Sequence, residues 1–205
     1  MAISPDEALP AARAIVAFHD ECLAAPGWAR NAPKRFAQGF WAALEENHRA
    51  NCLLWDEEDL ARRRDVPDAE IAANKRAIDR YNQIRNDAIE RMDEHLLATL
   101  AGVARRADAR LHSETAGAMA DRLSILALKI HHMRAQTERT DVDEAHRAEC
   151  AAKLVRLIEQ REDLAGCLDR LLAEAARGET WFKLYRQFKM YNDPRLNPAL
   201  YGAKR

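Results

Sequence analysis

With 205 residues and 32 Lys or Arg against 33 Asp or Glu, the chain has no net field to draw it onto nucleic acid or an anionic membrane, which excludes both as default partners. Seven Gly, seven Pro and abundant Ala, Leu, Arg and Glu are the usage of long helices and leave no strand-forming stretches. Cys22, Cys52, Cys150 and Cys167 form no C-x-x-C pair, no window approaches the roughly 20 apolar residues of a membrane span, and no export signal opens the chain, so a soluble cytoplasmic protein with reduced thiols is expected.

In chain order, Ser4-Pro5-Asp6-Glu7 reads as a capping box that opens a helix running to about Ala25, with Ile15, His19, Cys22 and Leu23 inward and Pro26-Gly27 as its stop. From about Pro33 a second helix carries Phe40, Leu44, His48, Asn51, Trp55, Glu58 and Arg62 on one stripe, apolar at its start and polar at its end. After Val66-Pro67 a third helix runs to about Arg106, burying Ile71, Ile78, Ile89, Leu96, Leu100 and Val103, with Lys75, Asn82 and Arg85 on that same side. Ser113 or Thr115 caps a fourth helix whose centre, Leu123 to Ile130, is apolar nearly all round and should be surrounded by other helices.

A fifth helix, from about Asp143 to Arg177, has Cys150, Leu154, Leu157, Leu164, Leu168 and Leu171 in a seam interrupted by Arg161, and Gly178 stops it. Trp181, Leu184, Tyr185 and Phe188 have the spacing of a short further helix. Two prolines prevent the tail from Tyr191 to Pro198 from being helical throughout, and it should pack across the bundle end. The basic clusters Arg62-Arg63-Arg64 and Arg105-Arg106 fall at helix ends, where cations complement the macrodipole. These elements predict an all-α fold: an antiparallel bundle of about five long helices with a short C-terminal helix and an irregular tail. The expected organisation is a single domain over 1–205, divided into an N-terminal helix (1–30), a helical core (33–191) and a tail (192–205).

The informative feature is a misfit. His48, Asn51, Glu58, Arg62, Lys75, Asn82, Arg85, Arg122, Lys129, His132 and Arg161 lie inside stripes that otherwise face the core, and buried polar groups must meet one another, water or a ligand. They either lock helix register through interhelical pairs or line a pocket. Six of them are Lys or Arg and one is an acid, which favours a small anionic ligand over a metal; Asp59, Asp79, Glu90, Asp93 and Asp121 on flanking faces offset that excess.

Glu45-x-x-His48 has the Glu-x-x-His spacing of di-metal bundle centres, but no second helix repeats it, and Glu90-x-x-Asp93 lacks a partner motif. No nucleophile elbow, Gly-rich phosphate loop or Cys-His pair at telling spacing is present. No catalytic residue, metal or cofactor is therefore assigned.

Two longer strings, Ser113 to Gly117 running into Asp121 to Met133, and Tyr185 to Pro194, resemble a bacterial family designated domain of unknown function 4254. Trp55 with Glu58-Asp59 and Arg62, Lys75-Arg76, Ile78-Asp79, Asn82-Gln83, Arg85 and Cys150 to Gln160 extend the likeness. Asp56 stands where the family favours a His. The resemblance implies no activity, only a fold class and an association with surface-glycan assembly.

Three functional expectations follow. The first is a helix-lined pocket, in one chain or a homodimer, that binds and transforms or merely holds a sugar phosphate or nucleotide-sugar through His48, Asn51, Trp55, Glu58, Arg62, Lys75, Asn82, Arg85, Asp121, Arg122, Lys129, His132 and Arg161. The second is a non-catalytic adaptor with an exposed apolar seam on the Asp143–Arg177 helix or the Trp181–Tyr191 segment. The third is a metal-dependent enzyme using Glu45, His48, Glu90 and Asp93.

Overall fold

The computed structural model describes residues 9–188, 190 and 193–202. The fold is all-α apart from one two-residue strand pair. In chain order the elements are α1 (Ala12–Ala24), α2 (Trp28–Asn31), α3 (Gly39–Leu60), α4 (Asp68–Thr99), β1 (Arg110–Leu111), α5 (Ala116–Thr137), α6 (Glu144–Ala176), β2 (Thr180–Trp181) and α7 (Pro198–Tyr201). Short connections fold α3 with α4, and α5 with α6, into two helical hairpins; α1 lies against α5 and α6, and α2 against α3.

The first helix begins later than its capping box implies. Ser4 to Glu7 lie outside the described residues, and the stretch Leu9-Pro10-Ala11 is not helical. A proline ring there removes an N–H and clashes with the preceding turn, so α1 starts after it. Its Ala12 N–H is satisfied from another helix, by Asp169 Oδ1 at 2.7 Å. Pro26-Gly27 ends α1 as expected, and Gly27 at φ 70° turns the chain into α2, a helix that periodicity had not marked. Arg49 holds α2: its Nη1 donates to the carbonyls of Trp28 and Ala29 at 2.9 Å each, and its guanidinium lies 4.4 Å from the Trp28 ring. The second helix opens at Gly39, not Pro33.

Thr115 is the N-cap of α5, its hydroxyl accepting from Ala118 N, and Asp143 caps α6 by accepting from His146 N. Arg63 Nε donates to the Leu60 carbonyl at 3.0 Å, so a cation does sit at the C-terminus of α3. Arg105-Arg106 behaves differently. Helix α4 stops at Thr99, and the chain then runs out to meet the segment after α6: Arg106 N donates to Gly178 O at 3.0 Å, Arg110 N to Glu179 O at 3.0 Å and His112 N to Trp181 O at 2.8 Å. Arg105 rests on the Trp181 ring at 3.9 Å and Arg106 pairs with Glu179.

Those bonds also overturn the short helix expected over Trp181 to Phe188. Thr180–Trp181 pairs in parallel with Arg110–Leu111, and residues 182–188 continue without helix. Arg186 then ties this segment to Glu90 and Glu94 of α4 at 2.6 and 2.5 Å.

The core is built from Ile15, Phe18, Cys22, Leu44, Met92, Leu96, Leu123, Leu128, Leu168, Leu171 and Phe182. The two hairpins meet closely where α5 begins. A Cβ on Gly117 would sit 2.7 Å from the Ile89 carbonyl oxygen and 2.8 Å from Asp93 Oδ1, and Asp93 Oδ1 accepts the Gly117 N–H at 2.7 Å. Gly117→Ala should therefore lower the unfolding free energy by about 2 kcal/mol through overpacking, measured by urea titration; an unchanged midpoint would show that the crossing can relax. Centrally placed as α5 is, it is not covered all round. Arg122 and Lys129 are exposed and Ile125 and Leu126 half-buried, a stripe at i, i+3, i+4 and i+7 that opens to solvent.

Candidate functional site

Helices α3, α4 and α5 converge on one carboxylate. Asp121 of α5 is buried, and its Oδ1 accepts from Asn47 Nδ2 at 2.9 Å, Asn51 Nδ2 at 3.0 Å and Arg85 Nε at 2.8 Å. Its Oδ2 accepts from Arg85 Nη2 at 2.5 Å, completing a bidentate pair that raises the guanidinium pKa further. Asn51 Nδ2 also reaches Ser124 Oγ at 3.0 Å, and His48 Nδ1 lies 2.8 Å from that hydroxyl. Burial pushes the His48 imidazole down to about 3, against a hydrogen bond with the His19 backbone that raises it, so His48 is neutral and part of the packing. The inner half of the predicted stripe is thus a closed hydrogen-bonded network.

The outer half lines a hollow. Above Asp121 a groove of about 300 Å³ opens between α3, α4 and α5. Asn51, Trp55 and Glu58 of α3 form one wall, with Leu54, Asp59 and, from the turn just after the helix, Arg62; Asn82 and Arg85 of α4 form the other; Ile125 and Leu128 of α5 make the floor. Six residues singled out from helical spacing therefore meet at one cavity. At the rim Arg62 Nη1 bonds Glu58 Oε2 at 2.9 Å and also the Glu58 carbonyl; with side chains 69% and 46% exposed, that pair is weak and exchangeable. Trp55 is stacked on His132 at 4.4 Å with rings 3° from parallel. The two guanidiniums of the groove are thus held unequally: Arg85 by a buried acid, Arg62 by an exposed pair.

Other predicted residues lie elsewhere. Lys75 pairs with Asp79 on the solvent face of α4, so it does not share the core side with Arg85. Arg161 joins α6 to α1 through Asp20 at 2.7 Å. His132 backs Trp55 and faces a separate depression with His131, Cys22 and Cys52. Arg122 binds Glu114 at 2.7 Å and, with Lys129, lines a second cleft of about 700 Å³ between α5 and α6. Five of the six stripe bases are therefore paired with acids, Arg85 and Arg161 across helices and Arg62, Lys75 and Arg122 with acids close by in the chain, so the basic excess counted along the stripes is largely neutralised.

The residues weighed for a metal centre are engaged separately. Glu45 Oε2 accepts from the Arg35 and Phe36 backbone at 2.9 and 3.2 Å, and its Oε1 pairs with Arg49 at 3.0 Å. Glu90 is held by Arg186 and by Gln187 N at 2.9 Å. Asp93 sits at the α5 N-terminus; burial raises its carboxyl to about 6, with bonds from Thr115 and Gly117 opposing. Among the described residues no three His, Cys, Asp or Glu side chains are grouped to hold a metal ion.

Sequence reasoning passed over Asn47 and Ser124, which complete the network, and Ile125, which floors the groove. Asn47 was discoverable: it stands four residues before Asn51, on the line that continues to Leu54 and Glu58. Among the described residues no helix is long and apolar enough to cross a membrane. No curated protein and no solved structure matches the chain. Residues 41–184, which span α3 to α6 and every residue of the groove, match the family described as a protein of unknown function (DUF4254), and the chain belongs to that family.

Proposed function

We propose that the groove between α3, α4 and α5 binds a small polar metabolite with an anionic group, of the character of a sugar phosphate. The observation that carries the reading is the clamped Arg85. Asp121 takes its Nε and Nη2, and among the described residues no acceptor meets Nη1, so a guanidinium already fixed in place keeps donors for a ligand facing the groove. Holding such a group in advance removes much of the entropic cost of ordering it on binding. Balanced charge elsewhere in the groove argues for a ligand that also carries hydroxyls: Glu58, Asp59 and the Asn51 side-chain carbonyl accept, while Asn82 both donates and accepts. Trp55 adds an apolar surface for a ring. About 300 Å³ is room for roughly ten waters at ~30 Å³ each, the scale of one sugar ring with its phosphate. A place in surface-glycan assembly, which the family resemblance implies, fits this chemistry.

Thermal denaturation with millimolar hexose phosphates tests it. A ligand at about 100 times its Kd adds roughly 2.7 kcal/mol, which in a chain of this size raises the Tm by about 5 °C or more. Arg85→Met should abolish the shift. Absence of any shift across hexose 1- and 6-phosphates, with the protein well folded, sinks the proposal.

A second reading, a helical adaptor or homodimer, has its own support. Val155 on α6 is 66% exposed, and Tyr185, Phe188 and Met190 after β2 are 53%, 87% and 58% exposed. The three large apolar side chains exposed after β2 favour contact with another protein surface. Phe188→Asp should leave the fold intact and convert any self-associated form to monomer in sedimentation equilibrium; a protein that is monomeric to begin with and purifies alone from its host removes this reading.

A further inference from the structure

Ile125 belongs to two cavities at once. It floors the groove on the α3/α4 side of α5 and also lines the cleft of about 700 Å³ on the α6 side. The two spaces are therefore adjoining compartments of one trough whose floor is α5. The α3–α4 hairpin forms one bank and α6, through Gln160, Leu164 and Cys167, forms the other.

The crest between the compartments carries charge at a defined spacing. Arg122 stands three residues before Ile125 and Lys129 four after it, so the two cations flank Ile125 by about one turn of ~5.4 Å on either side. Both are exposed. Arg122 shares Glu114 in a solvent-exposed pair, and Lys129 has no acidic partner among the described residues. Beyond the crest the cleft is mixed, with Met119, Leu126 and Leu164 as apolar wall and Glu114, Gln160 and Asp163 as polar edge.

Resting on the groove reading, we propose that the trough takes a two-part ligand joined by an anionic linker: a sugar in the groove, a phosphate or diphosphate crossing Ile125 between Arg122 and Lys129, and in the cleft a flat group with apolar faces and hydrogen-bonding edges, the faces against Met119, Leu126 and Leu164 and the edges toward Gln160 and Asp163. A nucleoside diphosphate sugar has this construction. The phosphate next to the sugar keeps the Arg85 edge, and the linker gains the Lys129 ammonium, a compact charge suited to a phosphate that passes rather than docks. Joining two weakly held halves makes the second contact intramolecular, so the conjugate should bind far more tightly than either half.

Calorimetric titration of the full chain with hexose 1-phosphate, the free UDP, GDP and ADP, and the corresponding nucleoside diphosphate hexoses tests this. At least one conjugate should bind about tenfold or more tightly than both its halves, a gain of about 1.4 kcal/mol or more. Lys129→Glu and Ile125→Trp should each remove that gain, while the hexose 1-phosphate affinity of Lys129→Glu stays within about twofold of the parent. Because Lys129 is exposed, its variant tests binding without risk to folding, with circular dichroism as the control. Hexose phosphate binding with no advantage for any conjugate overturns the two-part ligand and leaves the groove reading standing. An advantage that survives Lys129→Glu also overturns it. If neither hexose phosphates nor conjugates bind, both readings fall.

Discussion

Asp121→Ala lowers the free energy of unfolding by about 3 kcal/mol or more, the effect of removing one partner from a desolvated ion pair. The loss is large because one carboxylate serves three donors: Asn47, Asn51 and Arg85 all lose their acceptor together. Urea titration followed by circular dichroism reads it; a change below about 1 kcal/mol would mean that the network reforms around a solvent molecule. The double variant Arg85→Met/Asp121→Leu separates stability from binding. It removes both charges and fills their space, so the part of the loss due to an unpaired guanidinium returns while the part due to the Asn47 and Asn51 amides remains, and stabilisation by hexose phosphates stays lost. Recovery of both together would show that Arg85 is not the ligand's partner.

Stability also falls steeply with acid, and the slope reports two buried histidines. His19 is held well below its ordinary 6.5 by burial, with His48 and Arg161 adding to the effect, and His48 lies near 3. A depressed histidine is neutral in the folded state and takes up a proton only on unfolding, so its contribution is complete above the unfolded value and is lost as pH falls below about 6.5. Each such group gives a slope of about 1.4 kcal/mol per pH unit. Asp93, raised from 3.8 to about 6, acts in the opposite sense: the folded state holds its proton, and the stability that this supplies fades as pH rises through 6. Between about pH 4 and 6 the unfolded chain therefore gains two protons while the folded chain retains one extra. The expected net slope is about 1.4 kcal/mol per unit, with stability rising toward neutrality. Asp93→Asn removes the opposing proton, and its slope should be about twice as steep over the same interval. A flat profile for Asp93→Asn between pH 4 and 6.5, with the parent losing stability toward neutrality, would mean that His19 and His48 titrate normally.

The helices that could be foreseen were those whose information is local. Thr115 and Asp143 cap helices through bonds to residues three positions on, and the apolar period along α6 survives as Leu164, Leu168, Leu171 and Leu172 in the core. The segment after α6 has helical spacing too, in Trp181, Leu184, Tyr185 and Phe188, but its backbone is claimed by Arg110 and His112, some seventy residues away in the chain. Nothing within the segment records that partner.

The groove divides along the same line. Asn51, Trp55 and Glu58 share a face because a helix repeats, Asn82 and Arg85 follow by the same rule, and Arg62 joins them from the turn beyond α3. Which acid neutralises which base depends on helices crossing at a distance: Arg85 finds Asp121 and Arg161 finds Asp20 at sequence separations of 36 and 141. Stripe counting saw the bases and not their partners, and so overstated the positive charge available to a ligand.

The strand pair has a mechanical consequence for the trough. β1 immediately precedes the α5–α6 hairpin and β2 immediately follows it, so their pairing stitches the two feet of that hairpin together and fixes the bank formed by α6 at its base. Rotation of the whole bank is blocked there; only the far tip, around residues 138–143, retains leverage. Any widening needed to admit a bulky guest must come from splay at that distal end, like a pair of tongs riveted at the handle.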